Sequence, residues 1–192
     1  FIASNFNIGA LIMKLKNYLI LPLIFLLPLF SYVNAITLQE LRNDTNSKLV
    51  ITTDRADFYI DQKFTKDISL TANEPKIQSI IYIVDYKNAL IFEDHITYTY
   101  NPSFSIKQQI EDKIKSGIPK NQKLIDDILA DKEVASGITS ASSRKVVYSF
   151  DGKVLNSSIQ PKTLTFENWG TPGYELGNEI YLLIYNHTYD NF

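Results

Sequence analysis

Between Ile77 and Tyr100 the chain reads IQSIIYIVDYKNALIFEDHITYTY, a run dense in Ile, Val, Tyr and Phe with a polar break at Lys87-Asn88. Branched and aromatic residues at this density favour extended backbone, so the stretch predicts a hairpin with strands over 77–86 and 89–100. In the second strand Ile96, Tyr98 and Tyr100 alternate with Thr97 and Thr99, the two-residue period of a strand with one buried and one exposed face. Shorter runs of the same kind, KLVITTD, ADFYID and DISLTAN, precede it and are separated by Asp, Asn, Lys and Pro. Before them, TLQELRNDTNSK is suited to one or two helical turns.

After Asn101-Pro102 the period changes. Ile106, Ile110 and Ile114 recur at every fourth position while Lys107, Glu111 and Lys115 occupy another face, which predicts a helix capped by Ser103 or Ser105 and ended by Gly117 and Pro119. NQKLIDDILADKE predicts a second helix, with Asn121 as cap and Leu124, Ile125, Ile128 and Leu129 as its apolar stripe. The small and hydroxyl-bearing residues of VASGITSASS read as a flexible loop. Strand character returns in RKVVYSF, which Asp151-Gly152 turns into KVLNSSI to make a second hairpin. LTFEN and EIYLLIYNHTY read as two further strands separated by a glycine-rich loop, WGTPGYELGN. The expected fold class is α+β: a mainly antiparallel sheet, curled or paired as a sandwich, with a two-helix insertion at one face or end.

Upstream of all this, Met13 to Ala35 has the three-part pattern of a cleavable signal peptide: Lys14 and Lys16, then an apolar run from Tyr18 to Phe30, then Val33-Asn34-Ala35 as a cleavage site. Pro22 and Pro28 argue against a buried helix there. Met13 is the single methionine, so residues 1–12 are read as an upstream or artefactual segment, 13–35 as the signal, and 36–192 as a single mature α+β domain without linker or repeat. On this reading the protein is secreted or periplasmic and meets the membrane only transiently, through its signal segment.

Charge and composition narrow the classes. The formal charge is −2, and losing Lys14 and Lys16 makes the remainder more acidic, so the chain has no field to gather a polyanion and nucleic acid is excluded as a partner. Cysteine is absent, which removes disulfides, lipidation at a cysteine, thiol chemistry and thiolate metal sites, and leans toward bacterial export.

Little in the sequence points to a specific chemistry. There are two histidines, His95 and His187, and no histidine-metal spacing, so neither a metal nor a cofactor is expected. On a regular strand Asp94 and His95 face opposite ways and cannot act as a pair. No Gly-x-Ser-x-Gly elbow, phosphate loop or calcium-binding loop occurs. The candidate ligand site is the loop holding Trp169, Tyr174, Glu175 and Glu179, where aromatic rings and two carboxylates come together as they do around sugars. Tyr98 and Tyr100, on one strand face, are the candidate interaction surface. The expected function is an exported soluble domain that binds a protein or a glycan without catalysis, as part of a bacterial envelope or secreted assembly. The alternative is a small secreted hydrolase or toxin-like effector using the carboxylates of the Trp169 to Glu179 loop.

Overall fold

The hairpin expected around Lys87-Asn88 forms the centre of the sheet. In the computed structural model, which describes residues 36–130 and 135–190, strands β4 (Lys76–Asp85) and β5 (Leu90–Tyr100) pair antiparallel from Lys76↔Thr99 to Asp85↔Leu90. β1 (Ser47–Thr52) and β2 (Ala56–Asp61) extend the sheet on one side, and β6 (Ala135–Ser149) and β7 (Val154–Ile159) extend it on the other, in the order β1-β2-β4-β5-β6-β7. Two short strands complete it: β3 (Lys66–Asp67) beside β4, and β8 (Thr165–Asn168) beside the first half of β6. Every pairing is antiparallel, and the result is one open sheet rather than a sandwich or barrel. The run DISLTAN, expected as a strand, contributes only its first residue to β3, because the chain turns away at Ser69, whose N–H bonds the Asp67 carboxylate at 2.8 Å.

Helices cover the sheet unequally. α1 (Leu38–Asn43) begins with a capping box in which Thr37 and Glu40 bond each other's backbone N–H groups. α2 (Ile106–Lys115) and α3 (Gln122–Leu129) form the insertion between β5 and β6, capped by Ser105 and Asn121 as the sequence predicts. The fourth helix, α4 (Pro172–Tyr185), replaces both the expected glycine-rich loop and most of the expected final strand. Thr171 caps it by accepting from the Tyr174 N–H at 3.2 Å, Pro172 occupies its first turn, and Asn186 closes it in a left-handed conformation at φ 58°. Among the described residues no helix is long and apolar enough to cross a membrane.

The core has two halves, one on each face of the sheet. On the first face Ile77, Ile81, Ile96, Tyr98, Tyr100 and Ile138 pack under α2, α3 and α4. On the second, Tyr59, Tyr82, Val84, Ile91, Val146 and Tyr148 pack around Leu41 of α1. Tyr98 and Tyr100 are therefore core residues, 1% and 0% exposed, and not an interaction surface. The helix that the sequence did not show is what covers them.

The expected loop 134–143 is likewise strand from Ala135 onward, as the first half of β6. Its buried positions are Ser136, Ile138 and Ser140, so the two-residue period is present but written in small residues. Each hydroxyl finds a partner: Ser136 donates to the Glu167 carbonyl, Ser140 to the Glu167 carboxylate, and Ser142 to Asp94 Oδ2 at 2.8 Å. Small side chains let α4 lie close. A Cβ at Gly177 would stand 3.2 Å from both Ile138 Cγ2 and the Tyr98 ring.

The signal-peptide reading of residues 13–35 and the upstream reading of 1–12 fall outside the described residues.

Candidate functional site

Placing α4 against the edge strand β1 creates a cleft of about 650 Å³. Val50, Ile51 and Thr52 of β1 form one wall, α4 forms the other, and Thr188 and Asp190 close one end. The four residues singled out from the sequence all line it: Trp169, Tyr174, Glu175 and Glu179. They do so on different terms from a loop, since Glu175 and Glu179 are one helical turn apart on the same face of α4.

The aromatic pair forms the floor. Trp169 meets Tyr174 edge to face, with ring centroids 5.1 Å apart and planes at 64°. Tyr174 is buried, and its hydroxyl donates to Asp190 Oδ2 at 3.0 Å. The other oxygen of Asp190 accepts from the Lys107 N–H at 3.1 Å, so this carboxylate ties the chain end to the start of α2. Burial pushes the Asp190 carboxyl above its usual range, although the Lys107 N–H and the Tyr174 hydroxyl oppose the shift. Burial and the neighbouring Asp190 charge together hold the Tyr174 phenol well above its ordinary value.

The other two carboxylates are unlike each other. Glu179 is paired with Lys48, which reaches across from β1 and fixes the cleft wall. Glu175, in the first turn of α4, has its carboxyl raised by burial. The cleft thus presents one ion-paired carboxylate and two whose ionisation burial disfavours, beside a Trp–Tyr pair and the amide of Asn178. Such a set can accept hydrogen bonds from hydroxyl or amine groups of a ligand lying over the rings.

A smaller hollow of about 320 Å³ lies between the β3–β4 connection and α4, where the Tyr185 hydroxyl donates to Asp67 Oδ2 at 2.8 Å. Among the described residues no group of three or more His, Asp or Glu is placed to hold a metal ion. His187 packs edge-on to Tyr181, centroids 5.4 Å apart.

Sequence reasoning missed Asp190 and Lys48, because neither has a local signal: Lys48 comes from an edge strand far along the chain, and Asp190 from the segment after α4. It also missed a second polar group. On the other face of the sheet His95 Nε2 lies 2.7 Å from Glu93 Oε1, and the Tyr148 hydroxyl donates to Glu93 Oε2 at 2.9 Å. The spacing of two between Glu93 and His95 was the available signal, since it puts both on one strand face. Asp94 faces the other way, as expected, where Lys145 and Ser142 meet it.

No known protein family matches the chain, and neither a characterised protein nor a solved structure shows significant similarity to it.

Proposed function

We propose that this chain is an exported, non-enzymatic binding domain that holds a glycan in the cleft between β1 and α4. One observation carries the reading: Trp169, Tyr174, Glu175 and Glu179 converge on a single concave surface. Sugar rings stack on aromatic faces through their C–H groups and donate hydroxyl hydrogens to carboxylates, which are the two kinds of group the cleft supplies. The Lys48–Glu179 pair and the Tyr174–Asp190 bond hold the walls in place without a ligand, so little ordering is needed on binding. Export is supported by the signal-like pattern over Met13 to Ala35.

Trp169 is the single tryptophan of the chain, so its emission reports on this cleft alone. Titrating the full chain with a panel of oligosaccharides is expected to give a saturable change with at least one of them, weakened by Glu175→Ala. A flat response across the panel, with no heat of binding by calorimetry, would overturn the glycan reading.

A second reading rests on the raised carboxyls of Glu175 and Asp190. A carboxyl that keeps its proton to higher pH is suited to act as a general acid, and hydrolysis of a glycosidic bond needs one beside an ionised partner. This reading predicts slow release of reducing ends from the bound oligosaccharide, abolished by Glu175→Gln without loss of binding. Intact oligosaccharide after prolonged incubation would exclude it.

A further inference from the structure

We propose that His95 and Arg144 form a second binding site, on the sheet face opposite α4, that takes an oxyanion: a carboxylate or phosphate group of a ligand. The two residues are direct partners in the β5–β6 register. Directly opposed residues of an antiparallel pair carry their side chains side by side on one face, with Cβ atoms about 5 Å apart. Their alignment depends on a bulge: Ser143 is the extra residue of β6 opposite His95 and Ile96, and its hydroxyl donates to the His95 carbonyl at 3.1 Å. The bulge reverses the facing of β6, so that Arg144 points away from α4 while Ser142 points toward it.

Arg144 is half-buried and acts on the Tyr148 phenol electrostatically, and among the described residues none accepts a hydrogen bond from its guanidinium. A guanidinium has five donors in a planar fork that matches two oxygens of one anion. The carboxylate next along this face, Glu93, does not fill it. Its two oxygens are engaged by the His95 ring and by the Tyr148 hydroxyl. Asp94 is on the opposite face.

The Glu93 bond also orients His95. With Nε2 held against the carboxylate, Nδ1 is left for a ligand, on a side chain that is 26% exposed. An Nδ1–H would make the ring a second donor beside the guanidinium. Next to Glu93 on this face are Tyr82 and Tyr148, with Asp61 and Asp44 acting on Tyr82 and with Asp57 and Tyr59 of β2 further along. Burial and the charge of Glu93 keep both phenols protonated and neutral, so neither adds a negative charge that would repel an anion, and burial also raises the Asp61 carboxyl. Helix α1 enters this face elsewhere, its Leu38 N–H bonding the Phe150 carbonyl at 3.0 Å. The rim is apolar: Ile80 is the partner of His95 on one side, and Ile159, 88% exposed, is the partner of Arg144 on the other. An anionic head with an apolar neighbour is therefore the ligand that matches the row.

The chain has only two histidines, so imidazole proton–carbon spectra of the full chain give one reporter at the site and one control away from it. Inorganic phosphate and acetate are titrated separately at ionic strength held constant with sodium chloride. The expected result is a saturable displacement of the His95 signals with an unmoved His187, weakened about tenfold or more by Arg144→Gln. Phosphate alone acting would assign a phosphate group, and acetate alone a carboxylate. Arg144→Lys keeps the charge and loses the fork, and it is expected to fall between the parent and the glutamine variant even if the latter folds poorly. Equal movement of both histidines, no saturation with either anion, or affinity unchanged in the lysine variant would overturn the proposal. The Trp169 titration reads a different face, so either site can fail without the other.

Discussion

The hydroxyl of Tyr100, the last residue of β5, donates to the carbonyl of Gly177 in the middle of α4 at 2.8 Å. Both groups are buried, and the bond pins the helix to the sheet. Tyr100→Phe keeps the ring and removes only the donor. It is expected to lower unfolding stability by about 1 kcal/mol in urea titration. No loss would show that packing alone fixes α4.

Gly177→Ala tests the close approach from the other side. Alanine favours a helix over glycine by about 1 kcal/mol. The new methyl, however, meets Ile138 and Tyr98 at 3.2 Å, and both neighbours are themselves buried. Overpacking of a filled core costs about 1–3 kcal/mol, so a net loss near 1 kcal/mol is expected from denaturant midpoints. A gain in stability would mean that α4 slides outward freely.

Asp190 gives a pH dependence of defined sign. Its carboxyl is raised in the folded chain above the ordinary 3.8, so the folded state binds this proton more tightly than the unfolded state does. Its favourable contribution is full below the unfolded value and is lost as pH rises through the folded one. Asp190→Asn cannot ionise. The stability of the parent relative to this variant is expected to fall as pH rises above the ordinary 3.8, as compared by urea unfolding at several pH values. A constant difference would show that Asp190 keeps an ordinary carboxyl.

Lys48 and Glu179 join the edge strand to α4 with side chains 40% and 22% exposed. A pair so open to water is screened, and Lys48→Met is expected to cost less than about 1 kcal/mol, with the difference shrinking in salt. Its larger effect is expected on ligand affinity at the cleft, read by Trp169 emission, because the wall loses its tether.

The outer edge at β7 carries exposed Leu155 and Ile159, and Phe166 on β8 is 72% exposed. Ile159→Lys is expected to leave stability within about 0.5 kcal/mol of the parent in denaturant unfolding, as exposed positions away from the core do. A marked loss of stability would place Ile159 in the core.

The elements that carry their own local signals are those the sequence determined. Alternation over Ile77 to Tyr100, the Lys87-Asn88 and Asp151-Gly152 turns, and the caps at Ser105 and Asn121 each act within a few residues, and the hairpins and the two inserted helices follow from them. The cap of α4 was written just as locally in Thr171-Pro172 and Asn186, but three glycines and a β-prone EIYLLIY outweighed it on propensity. The first half of β6 was hidden for a related reason, because Ser136 and Ser140 are inward positions without apolar side chains. Only the tertiary structure decided these two together: the small residues of β6 and Gly177 of α4 make room for each other, and the area buried over Tyr98 and Tyr100 outweighs the preference of either segment alone. The same contact turned Tyr98 and Tyr100 from a surface into a core, and turned Glu175 and Glu179 from loop residues into one wall of a cleft. Trp169, Tyr174, Glu175 and Glu179 were legible as neighbours in sequence, whereas Lys48 and Asp190 reach them only because a sheet edge and a chain end are folded against one helix.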